Sequence, residues 1–309
     1  FPEAHADSFA LLAYISAWLK NYMPEIYTTA LLNSQPMGFY SCFQLIQDAK
    51  RHGVKVLSLD VQQSNWDCTI EKYRDGKYAL RLGLRIVKGL SAKAGCRIEK
   101  KRAMQPFKDL NDLVVRAKLN RAELQLLSKA NALETLVGNR HQANWKALGF
   151  RAPLPLLPPV IEEAATPLLP RPKEGEEVLA DFESIGLTLG RHPLALLRKH
   201  LIGDKLSSDL LELAQGTRAK FSGLVVVRQK PSSAKGVIFL TLEDEMGPIN
   251  VIIWPSLVNT YYNEVMHSKL LSISGTVQRE GEVVHLIAQV LEDRSSLIGQ
   301  LDTPLRNFC

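Results

Sequence analysis

The sequence lacks the features that would place it in a membrane or in an oxidising compartment. It has no run of about 18 or more apolar residues, which excludes a membrane-spanning helix. No signal-peptide pattern precedes the first predicted helix. The cysteines have neither a close partner nor a histidine at ligand spacing, which argues against a disulfide framework and a zinc site and fits a reducing cytoplasm. They are Cys42, Cys68, Cys96 and Cys309.

The sequence also lacks an Asp-x-Asp or comparable acidic pair in a predicted strand. The nearest acidic cluster, residues 243–245, closes a predicted strand turn, and we interpret it as a solvated loop. We therefore expect neither a metal site nor a catalytic residue in this chain. Residue 1 is Phe rather than Met, which predicts a piece of a longer protein.

Positive charge is present and is concentrated in residues 72–151. This stretch holds 19 Lys and Arg against 6 Asp and Glu, a balance of 19 − 6 = +13, whereas the whole chain is +6. A folded segment this basic predicts a polyanion as its partner.

Residues 84–94 predict a helix, a tight glycine turn and a second helix, as in the hairpin of a helix-hairpin-helix motif. In that motif the N–H groups of the turn and of the next helix N-terminus face a DNA phosphate. Ser91 replaces the second glycine of the usual apolar-Gly-apolar-Gly turn, but it can cap the following helix. The alternative is an ordinary antiparallel helix pair with a solvated basic face. The candidate DNA-binding residues of this hairpin are Lys88, Gly89, Leu90, Ser91, Lys93, Arg97, Lys100, Lys101 and Arg102.

A second, poorer copy of the hairpin follows. It consists of a predicted helix over 107–118, a turn at residues 119–121 and a helix over 121–133. Asn120 and Arg121 are its candidate DNA-binding residues.

Five strand-like runs, with a helix between the third and the fourth, predict an OB-fold barrel. The strands cover 221–230, 237–243, 249–254, 270–279 and 283–291, and the helix covers 256–267. Alternation points Phe239 and Trp254 outward, onto a face where aromatic rings beside a basic loop suit single-stranded nucleic acid. The alternative packs Phe239 against a neighbouring domain, and the barrel carries no net positive charge. The candidate single-strand-binding residues are Arg228, Lys230, Lys235, Phe239 and Trp254.

Residues 1–6 and 31–40 resemble the end of the fingers domain of C-family bacterial DNA polymerases, the alpha subunits of DNA polymerase III. Residues 81–90 resemble the start of the helix-hairpin-helix region of that family. Residues 33–40 and 64–68 are more similar to the error-prone, damage-inducible second alpha subunit than to the replicative one. The likeness runs in the family's order through nearly the whole chain, which predicts its C-terminal part.

The resemblance implies a DNA-directed DNA polymerase whose carboxylates and two Mg²⁺ ions lie in a palm domain outside this chain, with no cofactor in the chain itself. It implies that this region grips primer-template duplex and single-stranded template during damage-induced translesion synthesis. The implied protein partners are a Y-family-like adaptor, through which contact with the sliding clamp is indirect, and a recombinase-like accessory protein. His5 would lie near the incoming-nucleotide pocket, and a structural role for it is an open alternative. The competing hypothesis is a stand-alone nucleic-acid-binding module with an OB-fold and no enzymatic parent.

The predicted fold class is α+β and multidomain: a mostly helical fingers end and tandem helix-hairpin-helix region, followed by a five-stranded OB-fold β-barrel. Seven prolines within residues 151–172 predict an extended linker. The predicted domains are the fingers end (1–71), the helix-hairpin-helix region (72–150), the Pro-rich linker (151–173), a helical connector (174–217), the OB-fold (218–294) and a C-terminal tail (295–309).

Overall fold

A computed structural model describes residues 3–37, 40–150, 169–281, 283–299 and 306–308, with the side chains of residues 4, 75 and 306–308 left undescribed. The chain divides into two compact units, residues 1–189 and residues 190–309. Most of the predicted linker, residues 151–168, lies outside the described residues. In the described part of the chain, no helix is both long and apolar enough to cross a membrane.

The first unit combines nine helices of the described chain with a small sheet. The helices are α1 (Glu3–Tyr22), α2 (Pro24–Asn33), α3 (Cys42–Arg51), α4 (Ala92–Met104), α5 (Leu110–Ala117), α6 (Arg121–Lys129), α7 (Glu134–Val137), α8 (Arg140–Leu148) and α9 (Glu174–Ser184). The strands are β1 (Lys55–Leu57), β2 (Thr69–Lys72) and β3 (Tyr78–Arg81).

Local sequence signals explain where the first helices begin and end. Pro24 is the first residue of α2, where its missing N–H costs nothing. Ser41 caps α3 in a reciprocal capping box with Gln44, and Gly53 follows the helix with φ of +78°. A capped α3 places Phe43 in the core, where its ring lies 5.1 Å from that of Phe182 in α9.

Strands β2 and β3 are an addition that the sequence interpretation did not contain. β3 lies in the middle of the sheet, parallel to β1 and antiparallel to β2. The sheet therefore joins residues on both sides of position 71, where we expected one domain to end. Leu80 at its centre is fully buried.

The second unit contains the barrel. Its helices are α10 (Pro193–Leu197), α11 (Ser207–Leu210), α12 (Pro255–Thr260) and α13 (Tyr262–His267), and its strands are β4 (Arg218–Gln229), β5 (Ile238–Glu243), β6 (Pro248–Ile253), β7 (Leu270–Glu280), β8 (Val283–Asp293) and β9 (Arg306–Phe308). Strand order β5-β6-β8-β7-β4, with β4 also paired to β5, closes a five-stranded barrel. This confirms the predicted OB-fold, with two short helices in place of one between the third and fourth strands.

The barrel's interior follows the predicted alternation. Alternate residues of β5 and β6 are at most 2% exposed, namely Ile238, Leu240, Leu242, Ile249, Val251 and Ile253. Gly223 in β4 has no room for a side chain, because a Cβ there would lie 2.6 Å from that of Leu242. Residues 306–308, expected to be a tail, instead form β9 and pair in parallel with β4.

Candidate nucleic-acid interface

The first hairpin has an open turn, although its first arm differs from the prediction. Residues 84–86 form a single 3-10 turn rather than a helix. Gly89 then adopts φ of +81°, a left-handed conformation that favours glycine. Ser91 begins α4 as its N-cap, and its hydroxyl accepts a hydrogen bond from the Ala94 N–H at 3.2 Å.

The N-terminus of α4 keeps free donors in its first turn. The hydroxyl of Ser91 satisfies the N–H of Ala94, and among the described residues no acceptor faces the N–H groups of Ala92 and Lys93. Helix N-termini present such unpaired N–H groups together with the positive end of the helix dipole. The arrangement suits an anion such as a phosphate.

The cations predicted around this hairpin divide into two kinds. Lys93 and Lys100 are exposed and share one face of α4, about 10 Å apart along its axis at 1.5 Å per residue. Cys96 is exposed between them on the same face. Lys101 is partly buried. Among the predicted cations of this hairpin, Lys93 and Lys100 are therefore the exposed ones whose ammonium groups make no hydrogen bond or ion pair within the described residues, and Lys93 lies in the first turn of α4.

Lys88 has a structural contact instead of an open one. Its ammonium donates to the carbonyl of Phe182 at 2.7 Å, and its backbone N–H donates to the carbonyl of Ser184 at 2.8 Å. Both carbonyls belong to the last turn of α9, where acceptors are otherwise unpaired. Lys88 therefore holds the connector helix against the hairpin, which corrects its assignment as a phosphate ligand.

Arg102 and Arg97 also need correction. Arg102 donates to the carbonyls of Val61 and Ser64 and to the Asn65 side chain, and burial lowers the pKa of its guanidinium. Arg97 donates from Nε to the Ala117 carbonyl at 2.8 Å, and its Nη2 donates to both carboxylate oxygens of Glu123 in the second hairpin at 3.0 Å. Each guanidinium is thus used to join α4 to a neighbouring segment.

The second hairpin is closed by its own residues. Lys118 ends α5 with φ of +50°, and Asn120 begins α6 in a capping box with Glu123. The Glu123 carboxylate, which binds Arg97 at 3.0 Å, occupies the position that an anion would take at this helix N-terminus. Asn120 is therefore a cap, while Arg121 is exposed.

Residues 64–68, which carry the resemblance to the error-prone alpha subunit, pack against α4. The Glu99 carboxylate accepts from the N–H of Trp66 at 2.9 Å. A Cβ on Gly95 would lie 2.2 Å from the Trp66 ring, so the absence of a side chain on α4 makes room for the indole. Cys68 accepts from the N–H of Gly83, and burial raises the pKa of its thiol to about 11.

The outward face of the barrel carries the predicted aromatic residues and others that we did not predict. Phe239 lies opposite Ile252, which lies opposite Ile287, and all three are partly exposed. A second row places Asn250 beside His285. The alternation of β8 could have identified the two residues that we did not predict, His285 and Ile287, because odd-numbered positions from 283 to 289 face outward.

The basic rim of the barrel is smaller than predicted. Arg228 is 5% exposed, and its guanidinium donates to the carbonyls of Val265 and Ser268, so it is a core residue whose pKa is lowered by burial. Lys230 and Lys235 are exposed, and Trp254 is 52% exposed.

Two remaining expectations concern acidic and imidazole groups. Residues 243–245 are not a solvated loop: Asp244 is buried and accepts from Ser207 and Arg198. His5 lies exposed on α1 with its ring centroid 6.1 Å from that of Phe9. Among the described residues, no group of three or more His, Cys, Asp or Glu could hold a metal ion.

Two protein families match parts of this chain. Residues 53–143 match a helix-hairpin-helix motif, and residues 219–294 match an OB-fold nucleic acid binding domain. The chain therefore contains a helix-hairpin-helix region and an OB-fold.

Curated relatives extend the match to the whole chain. Error-prone DNA polymerases of Alkalilimnicola ehrlichii and Burkholderia pseudomallei are 48% and 49% identical to it, and each alignment covers 100% of this chain and 30% of the relative. That of Methylococcus capsulatus is 45% identical and is covered to 31%. The resemblance to error-prone DNA polymerases is thereby confirmed, with the chain spanning about a third of their length.

Proposed function

We propose that this chain is the DNA-holding part of an error-prone DNA polymerase. The observation that carries this proposal is the open turn of the first hairpin, with free N–H groups at the start of α4 and Lys93 and Lys100 on its exposed face. A phosphate of duplex DNA would accept hydrogen bonds from the N–H groups of the helix N-terminus, while the two ammonium groups contact flanking phosphates.

The barrel supplies a second contact in this proposal. Its outward row of Phe239, Ile252 and Ile287 offers an apolar surface for bases. Trp254 directly follows β6, Lys230 directly follows β4, and both are exposed. Stacking on aromatic side chains tolerates any base sequence, which suits a template of arbitrary sequence.

The wider role follows from the relatives and is part of the same proposal. The chain would grip primer-template and single-stranded template while a palm domain elsewhere in the polymerase, with Mg²⁺, adds nucleotides opposite damaged bases. DNA is its proposed partner, together with an adaptor linked to the sliding clamp and a recombinase-like accessory protein in the cytoplasm. His5 would lie near the nucleotide pocket.

The salt dependence of duplex binding tests the hairpin contact. Each phosphate contact contributes roughly −0.9 to the slope of log K against log salt, so Lys93→Ala with Lys100→Ala should make the slope shallower by about 2. Lys199→Ala with Lys205→Ala removes the same charge from exposed sites of the second unit and should leave the slope unchanged. Equal effects of both pairs would overturn the assignment to the hairpin.

Cys96 offers a direct footprint, because it lies between the two lysines. Bound duplex should slow alkylation of Cys96, measured by mass spectrometry of its peptide. Cys68 is an internal reference, since a buried thiol with its pKa raised to about 11 should react slowly with or without DNA. Unchanged alkylation of Cys96 at saturating duplex would contradict the proposal.

A further inference from the structure

The loop between β2 and β3 carries a compact set of cations and tyrosines that the hairpin and barrel contacts do not use. Within residues 72–78 the exposed side chains include Lys72, Tyr73, Arg74, Lys77 and Tyr78. The two tyrosines are 38% and 51% exposed, respectively. Exposed aromatic rings interleaved with cations are typical of surfaces that bind unpaired nucleotides.

A hydrogen bond within the loop holds its backbone in a closed turn. The N–H of Tyr73 donates to the carbonyl of Lys77 at 2.7 Å, and Gly76 closes the turn with φ of +72°. Lys72 lies directly opposite Tyr78 in the antiparallel register, so their side chains share one face of the hairpin. Successive residues point to opposite faces, which places Tyr73 and Lys77 together on the other face.

Each face of the hairpin thus presents one ammonium beside one phenol ring. Directly opposed residues of antiparallel strands have Cβ atoms about 5 Å apart, close enough for a ring to stack on a base while the cation reaches its phosphate. Arg74 lies at the tip.

The cations of the loop differ from the arginine at its base. Arg81 is bound by both oxygens of Glu71 at 3.0 Å and by the Ser58 carbonyl. No ion pair of this kind joins Lys72 or Lys77 to any carboxylate that the structure describes. The charge at the base of the hairpin stabilises the sheet, whereas the charge at its tip faces solvent.

The loop is also connected rigidly to the first hairpin. β3 has only four residues, about 13 Å, and Leu82 alone separates it from Gly83. A Cβ on Gly83 would lie 2.3 Å from the backbone of Asp67, so the chain passes this point in close contact with residues 66–68. The Leu84 N–H then donates to Asn65, and the turn at Gly89 begins five residues later.

We infer that the β2–β3 hairpin is a second DNA contact in the first unit, and that it binds unpaired nucleotides next to the duplex held by the first hairpin. The inference rests on the proposed function, since it needs DNA on α4. The tyrosine rings stack bases and the lysines contact the phosphates of the same strand.

A variant pair that removes or keeps the rings tests this inference. Tyr73→Ala with Tyr78→Ala, in the full chain, should weaken binding to a duplex with a single-stranded overhang about 30-fold or more, as expected for the loss of two stacked bases. Binding to a blunt duplex of the same length should not change. Tyr73→Phe with Tyr78→Phe keeps both rings and should retain wild-type affinity for the overhang.

Repeating the measurement in a Phe239→Ala background distinguishes the contribution of the β2–β3 hairpin to overhang affinity from that of the barrel. The tyrosine effect should have the same size there, since additive losses indicate independent sites. Matching melting temperatures of the alanine and phenylalanine variants exclude unfolding as the cause.

Each failure has a distinct outcome. Wild-type binding to blunt duplex, with overhang affinity unchanged in the alanine variant, would overturn the second contact and leave the proposed function intact. That result would also be expected if the loop instead docks on another protein. Absence of binding to either DNA by the wild-type chain would overturn both.

Discussion

The turns of the first and second helical hairpins share one plan, a left-handed residue two positions before the N-cap of the next helix, but the two hairpins use their charges in opposite ways. At the first, Gly89 makes the turn, Ser91 caps α4, and nearby lysines face solvent. At the second, Lys118 makes the turn, and the Glu123 carboxylate lies at the start of α6 with an arginine bound to it. The first is open to an anion and the second already contains one.

This difference teaches how a net charge of +13 can overstate a binding surface. Part of the positive charge replaces packing contacts within the fold, as when a guanidinium joins two segments through carbonyl oxygens. The second hairpin thus stabilises the position of the first through Arg97, which spans from α4 to residues 117–123. The first hairpin keeps few solvent-facing cations because others, such as Arg97, bind the second hairpin.

The largest expected effect is at the start of α8, where the guanidinium of Arg140 is buried. Arg140 is 4% exposed and pairs with Glu177 at 2.8 Å and with Asp181 at 2.5 Å. Arg140→Met should lower the free energy of unfolding by about 3 kcal/mol, because it leaves carboxylates of α9 without their partner. Denaturant unfolding measures this loss, and the salt slope of DNA binding should not change.

An exposed arginine provides the matched control. Arg121→Met should change stability by less than about 0.5 kcal/mol. The Arg140→Met loss should also shrink as the pH falls: burial already raises the pKa of Glu177, and a carboxyl with a raised pKa in the folded state is more stabilising when protonated. A loss that grows towards acid pH would contradict this account of the cluster.

Two single variants sharpen the comparison between the hairpins, because one should change stability and the other should change the salt dependence of DNA binding. Arg97→Ala should cost about 1–2 kcal/mol of stability, because it removes an ion pair with Glu123 and two carbonyl contacts, and should change the slope little. Lys93→Ala should do the reverse, with stability unchanged and the slope shallower by about 0.9. Identical profiles for the two variants would show that the division into internal and solvent-facing cations is wrong.

Sequence patterns predicted those parts of the fold that depend on local contacts. Ser91 was predicted to cap the helix that follows the first turn, as it does for α4, and the period-two alternation of β5 and β6 gives the barrel interior. The 3-10 turn at residues 84–86 was missed because three apolar-rich residues cannot be told from a helix by periodicity alone.

The allocation of cations could not be predicted for a different reason. Lys88 binds a carbonyl 94 residues away, and Arg228 binds carbonyls 37 and 40 residues away. Such partners follow from packing rather than from sequence spacing. A basic residue in a recognised motif is therefore evidence of a binding surface only after its long-range contacts are known.

The smallest expected effect concerns the turn residues themselves. Lys118 holds φ of +50°, a conformation that costs a non-glycine residue about 1–2 kcal/mol, whereas Gly89 holds φ of +81° at little cost. Lys118→Gly should relieve this strain but lose part of the gain to unfolded-chain entropy, for a net stabilisation of about 0.5 kcal/mol.

Gly89→Ala is the reciprocal change. A Cβ there would lie 3.5 Å from Leu126, which is ordinary contact, so the cost of about 1 kcal/mol comes from backbone strain and not from a clash. Because that strain acts on the open turn, duplex affinity should fall with stability, whereas Lys118→Gly should leave affinity unchanged apart from its one lost charge. Thermal unfolding and duplex titration on both variants decide the point: equal losses of affinity would mean that the two turns contact DNA alike, and that the carboxylate at the start of α6 does not close the second hairpin.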